Sequence, residues 1–128
     1  MRLITGGAYQ GKTEYAMYIA GISKDKLIDG ADCNWMDWNN VNAINHFHLL
    51  IKRLLLEQQD VLKIVKEMIK VNPEIVIITN ELGCGVVPVD AFDRNYREVT
   101  GRICCFLAKE ASQVHRVICG IGQVIKHD

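Results

Sequence analysis

Leu3-Ile4-Thr5-Gly6-Gly7-Ala8-Tyr9-Gln10-Gly11-Lys12-Thr13 runs from an apolar segment through a glycine turn into a helical pattern. The first three residues read as a short strand, and from Thr13 to Ile22 the residues Tyr15, Ala16, Ile19 and Ala20 recur at helical spacing. Between them, Gly6 to Thr13 matches G-x-x-x-x-G-K-[ST] at every position, in the strand–turn–helix setting that this motif requires. The chemistry follows from the residue types. Glycines let backbone N–H groups curl around a phosphate, and the helix N-terminus adds partial positive charge. Lys12 supplies a point charge at the β- and γ-oxygens of ATP or GTP, and Thr13 offers a hydroxyl to Mg²⁺. The predicted nucleotide site is therefore Gly6, Gly7, Ala8, Tyr9, Gln10, Gly11, Lys12 and Thr13. A glycine turn with an incidental Gly-Lys-Thr is the alternative.

Working outward, Lys26-Leu27-Ile28-Asp29-Gly30 suggests a second strand, and Ala31 to Asn40 a loop rich in Asp and Asn around Trp35 and Trp38. From Val41, the residues Ile44, Phe47, Ile51 and Leu54 or Leu55 predict one face of a helix. A further helical pattern through Leu62, Val65, Met68 and Ile69, with Asp60 as its cap, stops at Asn72-Pro73. Ile75-Val76-Ile77-Ile78-Thr79 is β-branched throughout, as a central strand covered on both faces should be, and belongs beside the first strand. A glycine-rich loop from Asn80 to Pro88, a helix from about Asp90 to Ser112 and a strand from Val114 to Ile121 complete the chain. Gly120-Ile121-Gly122 offers a turn into a short pairing of Gln123 to Lys126. Strands alternating with helices predict a three-layer α/β/α fold of the P-loop NTPase kind, with a mainly parallel sheet and an antiparallel C-terminal strand.

At 128 residues and 49% hydrophobic, the sequence holds one sizeable core, so residues 1–128 are read as a single domain. Fifteen basic side chains balance fifteen acidic ones, leaving no global field to attract nucleic acid or an anionic membrane. Five cysteines without a C-x-x-C pair suit reduced thiols, and no stretch is long and apolar enough to be a signal or a membrane span. A soluble, cytoplasmic protein is expected.

A metal-bound nucleotide also calls for carboxylates at the strand ends. Asp29, after Leu27-Ile28, is the candidate metal acid beside Thr13, with Asp32 nearby; the other reading of Asp29 is a turn aspartate before Gly30. Glu81 ends the strongest strand and suits orienting a nucleophile or holding metal-bound water. Lys12, Asp29 and Glu81 are thus the predicted catalytic set. His46 points away from the apolar stripe of its predicted helix, so it faces either a site or water, and with no flanking arginine or proline it reads first as a solvated surface histidine; His48 flanks the stripe and reads as packed. Arg94, Arg97 and Arg102 share a helix, where they either reach a phosphate or pair with Asp93 and Glu98.

Thr79-Asn80-Glu81-Leu82-Gly83-Cys84-Gly85-Val86-Val87-Pro88, Arg94-Asn95-Tyr96-Arg97-Glu98, Gly101-Arg102 and Gly120-Ile121-Gly122, together with the opening Ile4-Thr5-Gly6-Gly7-Ala8 and Gly11-Lys12-Thr13, resemble the bifunctional adenosylcobinamide kinase/adenosylcobinamide-phosphate guanylyltransferase family of cobalamin biosynthesis. The resemblance implies phosphorylation of the aminopropanol hydroxyl of adenosylcobinamide by ATP or GTP with Mg²⁺. In the family this is followed by GMP transfer through a guanylyl-histidine, and family members form trimers with the nucleotide site near subunit contacts, which implies a homo-oligomer. This sequence departs from the pattern: it is shorter between the first helix and the central strands, and lacks the His-x-x-Arg-Pro segment that carries the guanylylated histidine. It also has Cys104 where asparagine is common. Two readings remain at this level: a shortened kinase-type phosphotransferase, and a nucleotide-binding module or degenerate paralogue without transferase activity.

Overall fold

A computed structural model describes residues 1–82 and 90–127. Six strands form one sheet in the order β2-β3-β4-β1-β5-β6. They are β1 (Arg2–Gly6), β2 (Leu27–Asp29), β3 (Ala43–Asn45), β4 (Val76–Asn80), β5 (Gln113–Ile118) and β6 (Ile121–Lys126). All neighbours run parallel except β5 and β6, which form an antiparallel hairpin. The fold is therefore the α/β arrangement expected from the sequence, antiparallel final strand included.

Alternation along the strands sorts the core into two faces. Leu3, Ile44, Ile77 and Val114 face the larger cluster, where they meet Phe47, Leu50, Val65, Ile103 and Leu107 from helices α2 (Phe47–Leu56), α3 (Val61–Val71) and α4 (Ala91–Glu110). Ile4, Ala43, Val76, Ile78 and Val117 face the smaller one, closed by Ala16, Tyr15 and Ile19 of α1 (Lys12–Ala20). β4 lies beside β1, with Ile77 opposite Leu3 and Thr79 opposite Thr5. Its residues Val76 to Thr79 are all buried, which is why that segment is apolar on both sides.

Capping sets the helix limits. Asp60 accepts the Lys63 N–H, and Asp90 accepts the N–H groups of Phe92 and Asp93. The stretch from Glu57 to Asp60 is a break between α2 and α3.

One sequence expectation fails here. The helix does not begin at Val41: Ala43–Asn45 is a strand, and α2 starts only at Phe47. Ile44 and Phe47 are both fully buried in the same cluster, so a strand residue and a helix residue together mimic one helical stripe. The reversal occurs at His46, whose backbone is left-handed (φ 51°, ψ 45°). Gly83 to Pro88, most of the expected glycine-rich loop, lie outside the described residues.

Candidate functional site

At the C-terminal edge of the sheet, where parallel α/β sheets bind their ligands, lies a cavity of about 380 Å³. Ala8 to Glu14 line one side, and Asn45, His46, His48 and Asn80 the other. The first wall is the loop between β1 and α1. Gly11 precedes the helix at φ 82°, ψ 24°, and no side chain caps the N-terminus. Among the described residues, the first N–H groups of α1 therefore have no side-chain acceptor, the arrangement that favours an anion. A β-carbon on Gly11 would also stand 3.2 Å from the Gly120 Cα, so both conformation and space demand glycine there.

Lys12 is buried, and its Nζ donates to the Gly7 carbonyl at 2.6 Å. The ammonium is thus folded over the loop. Burial pushes its pKa down, and the negative charge of Glu81 pulls it back up. Thr13 lines the cavity from the first turn of α1. The loop is fastened from outside by the β5–β6 turn: Gly120 N–H donates to the Gln10 carbonyl at 2.7 Å, and Cys119 N–H to Gln10 Oε1 at 2.6 Å.

The two predicted acids stand in different surroundings. Glu81 follows β4, gives its N–H to the Gly6 carbonyl at 2.8 Å, and spans β1 to take two bonds from Arg116 of β5, at 2.8 and 3.1 Å. Asp29 ends the edge strand β2, two strands further from β1 than β4 is. Its Oδ1 accepts the Ala31 N–H at 2.9 Å, the bond of a turn aspartate, and also meets His46 Nδ1 at 3.1 Å. Asp29 is not among the cavity-lining residues. His46 is.

His46 therefore differs from the surface histidine expected of it: it sits at the end of β3, about half exposed, on the cavity wall. Gly30 makes this possible. A β-carbon there would run into the His46 carbonyl, and the Gly30 N–H donates to the Asn45 carbonyl at 2.7 Å. Asn45 Oδ1 in turn accepts the His46 N–H at 2.9 Å. His48 is buried, as expected, and lines the cavity as well. Its Nδ1 accepts the Asn80 N–H at 3.2 Å. Burial pushes its pKa down to about 4, reinforced by the nearby His46 and Lys12 and opposed by Asp29.

Sequence reasoning missed Asn45, Asn80, His48 as a cavity residue and the Gln10 fastening, and it ranked a site-facing His46 below a solvated one. Reading Ala43–Asn45 as a strand would have found the first wall residue and His46, because both fall where a parallel strand ends. The arginines of α4 do not line the cavity, and Arg102 pairs with Glu98 one turn away. Trp38 is buried, and Trp35 lies under the Arg53 guanidinium, 5.0 Å from its ring centre. Arg53 also donates to the carbonyls of Gly30 and Cys33 at 2.9 and 3.0 Å, pinning the loop that leaves β2.

The family described as cobinamide kinase / cobinamide phosphate guanyltransferase matches residues 36–125. The chain belongs to this family. The matched span begins after the phosphate loop, so Gly6 to Thr13 rest on their own motif and geometry. Two relatives, each called bifunctional adenosylcobalamin biosynthesis protein CobU, come from Escherichia coli K12 and Salmonella typhimurium LT2. Each is 42% identical over 53 residues, covering 41% of this chain and 29% of the relative. The chain thus aligns with under a third of the length of either. No described helix is long and apolar enough to cross a membrane.

Proposed function

We propose that the chain is a phosphotransferase of cobalamin biosynthesis that moves the γ-phosphoryl group of ATP or GTP to the aminopropanol hydroxyl of adenosylcobinamide. The observation that carries it is the two-walled cavity: an uncapped helix N-terminus and Lys12 on one side, and a polar wall of Asn45, His46, His48 and Asn80 on the other. Family membership supplies the acceptor class. The acceptor oxygen bonds to the γ-phosphorus as the bond to the β,γ-bridging oxygen breaks. The nucleoside diphosphate leaves, and the hydroxyl proton is released from the site, ending in bulk solvent.

The loop N–H groups and Lys12 hold the phosphates, with Lys12 exchanging its bond to the Gly7 carbonyl for phosphate oxygens. Little covalent chemistry is asked of the protein in such a transfer; positioning and charge do the work. The residues suit Mg²⁺, which prefers oxygen ligands and keeps several waters. Thr13 offers one hydroxyl, and no group of three His, Cys, Asp or Glu among the described residues forms a metal cage of its own. Mg²⁺ would screen the β- and γ-phosphate charge. Asp29 is engaged by the His46 ring and Glu81 by the Arg116 guanidinium, so neither is assigned a direct metal bond.

Those contacts favour a second reading, a nucleotide-binding module without an acceptor. The two separate on one experiment, in which the protein is given Mg²⁺, ATP or GTP and adenosylcobinamide and the products are identified by mass. The kinase yields adenosylcobinamide phosphate and nucleoside diphosphate; nucleotide binding without that product establishes the module. No acid-labile GMP adduct is expected with labelled GTP, and one lost in His46→Ala would restore guanylyl transfer.

A further inference from the structure

We propose that His46 binds the acceptor hydroxyl through Nε2, with Asp29 as its positioning residue. The inference rests on the phosphotransferase reading above and specifies its second substrate contact. A carboxylate can only accept, so the 3.1 Å contact with Asp29 Oδ1 places the proton of a neutral His46 on Nδ1 and leaves Nε2 as an acceptor. His48 is the complement. Its Nδ1 accepts the Asn80 N–H, so the neutral ring carries its proton on Nε2, a donor.

The two rings meet edge to face with centroids 6.0 Å apart, and both line the cavity opposite the phosphate loop. One wall thereby presents an acceptor beside a donor. An alcohol needs both. A phosphate oxygen needs donors alone, and the loop wall with Lys12 supplies those. This division assigns the histidine wall to the acceptor and the loop wall to the nucleotide.

The backbone shows how firmly His46 is placed. A left-handed conformation is uncommon for a residue with a side chain, and here it is set by three contacts: Asn45 Oδ1 on the His46 N–H, Gly30 N–H on the Asn45 carbonyl, and Gly30 packed where a β-carbon would meet the His46 carbonyl. The Asp-Gly pair at the end of β2 therefore fixes both ends of the same residue. Asp29 holds the ring, and Gly30 holds the backbone.

The test uses His46→Asn, because asparagine tolerates the left-handed backbone but is too short to replace Nε2, and Asp29→Ala, which removes the oxygen that accepts from Nδ1 and so releases the tautomer. Four quantities are measured on each protein: the KM for adenosylcobinamide, kcat, the Kd for the nucleotide by calorimetry, and the imidazole tautomer by ¹⁵N NMR. Expected are an Nδ1–H tautomer for His46 in the wild type and a rise of about tenfold in the acceptor KM in His46→Asn, the scale of one hydrogen bond. Asp29→Ala lowers the Nδ1–H population and raises KM in the same direction, and nucleotide Kd stays within about twofold of wild type in both. An unchanged acceptor KM, an equal loss of nucleotide affinity, or an Nε2–H tautomer in the wild type overturns the inference. If the wild type binds nucleotide yet neither binds nor phosphorylates adenosylcobinamide, the phosphotransferase reading itself falls. Normal phosphorylation by His46→Asn refutes only the role of His46.

Discussion

Replacing His48 with asparagine should flatten the acid limb of the stability profile. In the folded protein the His48 pKa is pushed down to about 4, chiefly by burial, while the unfolded chain titrates near the ordinary 6.5. Between those values the unfolded state binds more protons than the folded one, so stability rises with pH. The contribution is fully present above pH 6.5 and is lost as pH falls toward 4. A separation of about 2.5 units corresponds to about 3 kcal/mol over the whole window, and about 2 kcal/mol of it is gone by pH 5. Asn is the informative replacement because its side-chain oxygen can still accept the Asn80 N–H while carrying no proton to titrate.

Urea unfolding at pH 7.5, 6, 5 and 4.5 gives the free energy of both proteins, with equal m-values as the check that the end states match. The variant starts lower at pH 7.5 through lost packing, and the gap should close by about 2 kcal/mol on reaching pH 5. His115, also buried with its pKa lowered by burial and by Arg2, titrates in both proteins and cancels. Parallel profiles would show that His48 is not held neutral by its surroundings.

Three other outcomes follow from the same geometry. Lys12→Ala removes the loop's buried cation and should weaken nucleotide binding at least about tenfold by calorimetry, with the unfolding midpoint little changed. Gly11→Ala forces a side chain into a left-handed backbone 3.2 Å from the Gly120 Cα, and should cost about 1–2 kcal/mol in urea unfolding as well as nucleotide affinity. Arg53→Met keeps the aliphatic stem but loses the bonds to the Gly30 and Cys33 carbonyls and the contact with Trp35. It should destabilise the protein by about 2–3 kcal/mol and alter tryptophan fluorescence.

The half of the site built from neighbouring residues was legible in the sequence. Gly6 to Thr13 run from the end of β1 through one loop into α1, so the motif is recognised from adjacent residues alone. β4 was equally plain, because a strand buried on both faces shows as an unbroken β-branched run from Ile75 to Thr79. The other half depends on distant partners. Asp29 meets His46 across 17 positions and Gln10 meets Cys119 across 109, and nothing in the spacing of either pair announces the contact. β3 was hidden by its length: three residues are too few to show a period of two, and Ile44 falls in step with Phe47 and Ile51 of the helix that follows. Losing that strand moved His46 from a sheet edge to a helix surface in the sequence reading. Asp29 was legible as an acid at a strand end, but its partner was not.

The most direct measurement of the central claim is a single-turnover transfer assay with γ-labelled ATP and, separately, GTP, in the presence of Mg²⁺ and adenosylcobinamide. Label is expected in adenosylcobinamide phosphate with at least one nucleotide, and none above background with Lys12→Ala. Nucleotide bound tightly by the wild type with no label reaching a saturating amount of adenosylcobinamide would contradict it.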